Sequence, residues 1–170
     1  MTEEAIFRSI TIILFLTIVA IGICHRLKAA RPKEDTIAQR QEGILIMVLL
    51  RLFGFVTRIG LLLYMINPQL MQWSRLSLPS WLRWVGAGFG IVALPLIYWM
   101  FHSIGKNVTD TISIRKGHTL VTKGPYHWIR HPMYSFSFLA LIGFSLLSAN
   151  GFIALTGLLA FTAISCSHTP

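Results

Sequence analysis

The sequence HTLVTKGPYHWIRHPMY, residues 118–134, is the stretch around which the rest of this chain is organised. It concentrates three histidines, two tyrosines, a tryptophan and a Gly-Pro pair in a chain that is otherwise mostly apolar. A helix that begins at Pro132 would direct its positive dipole end toward the stretch, which favours a bound carboxylate or phosphate. The rings of Tyr126, Trp128 and Tyr134 could hold a cation or stack on a base. The stretch therefore predicts a ligand with an anionic group, a positive centre and an aromatic base.

Each of these residues, taken alone, also has an ordinary structural explanation. Tyr126 and Trp128 could be aromatic residues at a membrane interface, and Arg130 could be one of the cations that mark a cytoplasmic loop. Pro132 could be no more than the first residue of the following helix. The binding hypothesis depends on the concentration of these residues within a single short segment.

The composition of the chain indicates a membrane protein. Of its 170 residues 54% are apolar and only 12% are charged, about half the charged fraction of an average soluble domain. The net charge of +9 does not favour nucleic acid, because ten of the fifteen Lys and Arg residues cluster in two connecting segments instead of on one face. The two cysteines, Cys24 and Cys166, have no CxxC spacing, so neither a disulfide framework nor a metal site is predicted.

Hydropathy predicts an all-α integral membrane protein with about five transmembrane helices, the last two forming a short helical hairpin. The expected spans are residues 5–24, 43–66, 81–101, 134–148 and 152–167. Residues 1–101 then form a three-helix N-terminal region, and residues 102–170 hold the motif loop and the hairpin. The first span is expected to be a retained anchor, because acidic residues precede it and basic residues follow it, the reverse of a signal peptide.

The distribution of basic residues predicts how the chain is oriented. Residues 25–42 and 102–133 carry a basic excess, whereas residues 67–80 contain a single cation, Arg75. The positive-inside rule therefore places the N-terminus outside and the motif loop in the cytoplasm.

Two features lie within the predicted spans. Arg51 and Arg58 are seven residues apart and so share nearly the same helical face. They either face a polar groove or another subunit, or extend to opposite interfaces. Gly86 and Gly90 have the small-xxx-small spacing of closely packed helices, and Pro95 is expected to kink the third helix.

The central stretch resembles the signature of the isoprenylcysteine carboxyl methyltransferase family and of the related phospholipid methyltransferases of membranes. The resemblance rests on the Gly-Pro-Tyr turn at residues 124–126, on Ile129-Arg130-His131-Pro132-Met133-Tyr134 and on the preceding His-Thr-Leu-Val at residues 118–121, and it extends over residues 102–144. It implies an all-helical membrane enzyme that uses S-adenosyl-L-methionine, a ligand with the three features named above. It also implies a lipophilic methyl acceptor that arrives from the bilayer, along a path that Arg51 and Arg58 could line.

Carried over residue by residue, the resemblance implies cofactor contacts at ten positions, with Pro125 helping Gly124 to shape the turn between them. The positions are His118, Thr119, Leu120, Val121, Gly124, Tyr126, His131, Pro132, Met133 and Tyr134. It implies neither a metal nor a particular catalytic residue, and it leaves the acceptor and the oligomeric state open.

Two departures from the family pattern affect what is expected. Phe136 stands where a small residue is common, and the chain ends at Pro170 without the Arg-xxx-Glu segment expected after the hairpin. The second departure leaves open whether the chain is an active enzyme, a shortened inactive form or a non-catalytic membrane scaffold. A further alternative is a relative of the NADPH-dependent membrane sterol reductases, which share an Arg-His-Pro-x-Tyr motif but carry Asn where Met133 stands.

Overall fold

The computed structural model describes residues 3–29, 44–104, 124–129 and 132–166, which form helices and connecting turns without strands. The five α-helices are α1 (Glu3–Ala29), α2 (Ile44–Ile66), α3 (Ser80–Ile104), α4 (Pro132–Ser148) and α5 (Gly151–Cys166). Within the described residues, short 3₁₀ helices occupy Pro68–Ser74, after α2, and Gly124–His127, before α4. The all-α prediction is confirmed, and each predicted span corresponds to one helix.

The helices differ in their suitability for crossing a bilayer. Among the described residues, Glu3–Lys28 and Ser80–Ser103 are long and apolar enough to span a membrane. Pro132–Ser148 and Gly151–Thr162 are apolar but shorter; at 1.5 Å per residue the 17-residue α4 is about 26 Å long. These apolar helices indicate an integral membrane protein, and the number of five crossings stays a prediction.

Helices α3 and α4 pack closely enough for their backbones to touch. A Cβ atom built on Gly143 of α4 would lie 2.9 Å from the backbone nitrogen of Gly90 and 3.1 Å from the carbonyl oxygen of Gly86. The spacing of Gly86 and Gly90 therefore marks a packing face, as predicted. The helix α3 continues through Pro95 to Ile104.

The other helices assemble around this pair. Helix α1 packs on α3 and also touches α4 and α2, while α5 lies between α4 and α2. Between α2 and α5, Thr57 Oγ1 donates a hydrogen bond of 3.1 Å to Thr156 Oγ1, and both side chains are buried. The result is a helical bundle in which α4 contacts three neighbours.

The bundle has two chemically different ends. The Pro132 end contains the C-terminal parts of α1 and α3, the turn Gly124–Ile129 and the start of α4. The Glu4 end contains the start of α1, the end of α2, the first 3₁₀ helix, the start of α3 and the α4–α5 turn. Because α3 has 25 residues, the two ends are about 38 Å apart along it.

A buried arginine joins four segments at the Glu4 end. The Arg83 side chain, 7% exposed, donates hydrogen bonds of 2.9 and 3.1 Å to the two carboxylate oxygens of Glu4. It also donates bonds of 3.0 and 2.7 Å to the carbonyl oxygen of Leu147 and one of 3.1 Å to the Tyr64 hydroxyl. Its guanidinium carbon lies 4.1 Å from the centre of the Phe7 ring. One side chain therefore holds α1, α2 and the end of α4 to α3.

Candidate functional site

The structure describes half of the predicted cofactor-binding residues, and all of these lie at the Pro132 end. They are Gly124, Tyr126, Pro132, Met133 and Tyr134. The other five, His118, Thr119, Leu120, Val121 and His131, lie outside the described residues. Their contribution to the site stays a prediction.

The turn that contains Gly124 is fitted closely against the end of α3. Gly124 has a φ angle of +68°, a left-handed conformation that glycine adopts without strain. A Cβ atom at this position would overlap the Ser103 hydroxyl and lie 2.9 Å from Ser103 Cβ and 3.5 Å from Trp99 Nε1. Both the backbone conformation and the available space therefore require glycine here.

We expect Gly124→Ala to displace the turn from α3 and to lower at least tenfold the affinity for the S-adenosylmethionine that the resemblance implies, because the substitution adds both backbone strain and a steric overlap. The double variant Gly124→Ala/Ser103→Gly removes the overlap but keeps the strain, so it should recover part of the affinity. Calorimetric titration with S-adenosylmethionine would measure both effects. Wild-type affinity in the single variant would contradict the proposed close fit.

The turn separates its aromatic residues into an inward and an outward set. The carbonyl oxygen of Pro125, itself buried, accepts hydrogen bonds from the backbone N–H groups of Trp128 and Ile129, at 3.2 and 2.9 Å. Tyr126 is half-buried against the core, and this burial raises the pKa of its phenol further above physiological pH. Trp128 is 83% exposed, as its interfacial interpretation predicts. Of these two rings, only that of Tyr126 faces the interior.

Helix α4 begins at Pro132, as predicted, and continues the site. Pro132 is fully buried and lacks an N–H group. In any α-helix, the N–H groups of the first turn have no hydrogen-bond acceptor within the helix itself. Met133 is exposed and Tyr134 is half-buried. The positive end of the α4 dipole therefore lies in the same segment as two half-buried tyrosines, an arrangement that suits a ligand with a carboxylate and an aromatic base.

Phe136, the residue that departs from the family pattern, belongs to the core. Its side chain is 6% exposed and lies in the main apolar cluster of the bundle. The larger side chain is therefore accommodated by packing between helices.

Sequence reasoning missed an aromatic cluster at the same end of the bundle. The His25 ring of α1 lies 5.5 Å from the Tyr98 ring and 5.7 Å from the Phe101 ring, both on α3. The Tyr98 ring in turn stacks on His102 at 5.9 Å. The partner of Tyr98 on α1 could not be identified from the sequence, since no local pattern links residues 25 and 98.

The predicted substrate-path residues lie on α2. Arg51 and Arg58 are both exposed, and α2 packs mainly on α5 and on the first 3₁₀ helix. Their role in guiding an acceptor stays a prediction.

Comparisons with known proteins place the site in a family context. The model of the isoprenylcysteine carboxyl methyltransferase (ICMT) family matches residues 86–167, which include most of α3, the Gly124 turn, α4 and α5. The protein YpbQ of Bacillus subtilis (strain 168), described as uncharacterized, is 34% identical over 64 residues. That alignment covers 37% of this chain and 37% of YpbQ, so the match spans little more than a third of the relative. Residues 86–167 therefore carry the sequence pattern of the isoprenylcysteine carboxyl methyltransferase family.

Proposed function

We propose that this protein is a membrane methyltransferase that transfers the methyl group of S-adenosyl-L-methionine to a lipophilic acceptor. The acceptor class is an isoprenylcysteine-like carboxylate or a lipid. The observation that carries the proposal is the turn Gly124–Ile129, which is fitted against α3 directly before the start of α4 and lies inside the family match. The proposed cytoplasmic position of this turn and the external N-terminus follow from the basic residues of the neighbouring loops.

The residues of the Pro132 end fit such a cofactor. When bound, S-adenosylmethionine supplies a methyl group on a positively charged sulfur. The α4 dipole would stabilise the cofactor carboxylate, and the rings of Tyr126 and Tyr134 would contact its adenine or its cationic centre. A neutral Tyr126 phenol adds no charge that would compete with these contacts. His118, Thr119, Leu120, Val121 and His131 are proposed as further contacts.

The task of the protein in this reaction is mainly geometric. Direct displacement on carbon requires the acceptor atom, the methyl carbon and the sulfur to be aligned, and it requires water to be kept away. A site at the end of an apolar bundle lets a soluble cofactor and a membrane-dissolved acceptor approach from different sides. Arg51 and Arg58 are proposed to line the acceptor path.

Cofactor binding separates this proposal from the reductase alternative. We expect S-adenosylmethionine and its demethylated product to raise the melting temperature of the detergent-solubilised protein, and NADPH to leave it unchanged. Tyr126→Ala should abolish most of this shift, because it removes a half-buried ring from the turn. His127→Ala is the matched control, since the neighbouring side chain is exposed. Stabilisation by NADPH alone would contradict the proposal.

Methyl transfer separates an enzyme from a non-catalytic scaffold. The protein in nanodiscs would be incubated with S-adenosylmethionine labelled on the methyl group and with a farnesylcysteine analogue or an amine-bearing phospholipid. An enzyme should yield labelled organic-phase product that depends on Tyr126. Cofactor binding without transfer to any acceptor would favour the scaffold.

A further inference from the structure

The Glu4 end of the bundle contains a polar cavity of about 380 Å³, roughly 38 Å along α3 from the candidate methyltransferase site. Its walls come from the start of α1, the end of α2, the first 3₁₀ helix and the α4–α5 turn. The lining residues that matter here are Glu4, Arg8, Gln69, Gln72 and Arg75.

Positive charge exceeds negative charge around this cavity. Glu4 is the carboxylate among its lining residues, and it is shared between Arg75, at 3.1 Å, and the buried Arg83, at 2.9 Å. Arg8 donates hydrogen bonds of 2.7 and 2.6 Å to the carbonyl oxygens of Met65 and Ile66, and no carboxylate pairs with it in the part of the chain that the structure describes. Among the lining residues, the two guanidinium groups of Arg8 and Arg75 and the single carboxylate of Glu4 leave a net charge of +1, which would attract an anion.

The cavity also has hydrogen-bond donors available for a ligand. The Asn150 side chain is held by internal bonds: its Oδ1 accepts from the Ser74 hydroxyl at 2.8 Å, and its Nδ2 donates to the carbonyl oxygen of Met71 at 3.1 Å. The side-chain amides of Gln69 and Gln72, by contrast, are exposed and make no hydrogen bond with any other described residue. Asn150 thus forms a fixed floor of the cavity, while Gln69, Gln72 and Arg75 form an exposed rim. The amide and guanidinium donors of this rim suit the oxygen atoms of a phosphate group.

Apolar side chains beside the rim suggest what carries that phosphate. Leu70 and Trp73 belong to the same 3₁₀ helix as the two glutamines, and they are 53% and 71% exposed. At the surface of a bilayer, an exposed tryptophan and leucine contact the boundary between headgroups and acyl chains. We propose that this cavity binds the phosphate group of an anionic phospholipid, at the membrane surface opposite the methyltransferase site.

Thermal unfolding of the full chain in detergent tests the proposal with three probes at constant ionic strength. The probes are dioctanoyl phosphatidylglycerol, dioctanoylglycerol, which lacks the phosphate, and inorganic phosphate. We expect the phosphatidylglycerol to raise the melting temperature in a saturable manner, and dioctanoylglycerol to produce no such shift. An equal, saturable shift with inorganic phosphate alone would support the site with free phosphate as its occupant.

Matched variants connect the shift to the cavity. Gln72→Glu places a carboxylate on the rim, and Arg75→Gln removes an exposed cation, so each should raise the apparent Kd for phosphatidylglycerol at least tenfold. Lys28→Gln removes the same charge from an exposed position near the other end of α1 and should leave the apparent Kd unchanged. The proposal is overturned if no phosphate-bearing probe gives a saturable shift, or if the two cavity variants bind like Lys28→Gln.

Discussion

Gly143→Leu is expected to separate α3 from α4 and to prevent accumulation of folded protein, because a side chain would have to occupy the space now filled by the backbone of α3. Even the single methyl group of Gly143→Ala would lie 2.9 Å from the Gly90 nitrogen and 3.1 Å from the Gly86 oxygen. Backbone atoms cannot move aside as a flexible side chain can. We therefore expect Gly143→Ala to cost about 1–3 kcal/mol in the free energy of unfolding, as overpacking does elsewhere.

Gly88→Ala is the matched control for this effect. A Cβ atom at Gly88 of α3 would meet nothing within 4 Å, so the same chemical change occurs without a steric cost. Because alanine is favoured over glycine inside a helix, we expect this variant to be neutral or more stable by about 0.5–1 kcal/mol. Denaturation of the purified protein in mixed micelles, followed by helical circular dichroism, would measure both variants. Equal stability of the Gly143 and Gly88 variants would show that the helices can separate at little cost.

This helix pair shows what the sequence could and could not predict about the fold. The apolar lengths located each of the α-helices that the structure describes, and the spacing of Gly86 and Gly90 identified the packing face of α3. The partner glycine, Gly143, stands alone in α4, so no repeating pattern marked it. The spacing of small residues within one helix shows which face packs closely. Which helix packs against that face depends on how distant segments of the chain assemble.

The candidate site, like the helix pair, could be predicted from the sequence in its local structure but not in its tertiary contacts. The Gly-Pro sequence correctly indicated the turn, and Pro132 correctly indicated the start of α4. The sequence did not distinguish the half-buried Tyr126 from the exposed Trp128, because both are aromatic and only two positions apart. That distinction depends on how the turn sits on α3, which is a tertiary property.

Arg83 illustrates a stronger limit of sequence reasoning. It is a single charge within the predicted span 81–101, and its carboxylate partner precedes it by 79 residues. Glu4 was interpreted only as an acidic residue before an anchor. An ion pair between segments so distant in the chain leaves no spacing pattern, so its discovery required the structure.

Arg83→Met is accordingly expected to be among the most damaging single substitutions at the Glu4 end. It would leave the Leu147 carbonyl oxygen without two donated hydrogen bonds and Glu4 without its most buried partner. Removing one member of a buried, hydrogen-bonded pair costs about 3–5 kcal/mol in other proteins, and we expect a loss in that range. Arg75→Met removes the other partner of Glu4, but the Arg75 side chain is 57% exposed, so its loss should cost at most about 1 kcal/mol.

A double-mutant cycle would separate the ion pair from the contact with α4. Glu4→Gln keeps the shape of the side chain and removes its charge, so Arg83→Met should cost less in that background than in the wild type, by about 0.5–3 kcal/mol. The bonds to Leu147 do not involve Glu4, and their loss should remain in both backgrounds. Thermal unfolding of the four proteins would give this coupling. If Arg83→Met were no more destabilising than Arg75→Met, the buried arginine would not be what holds α1 and the end of α4 to α3.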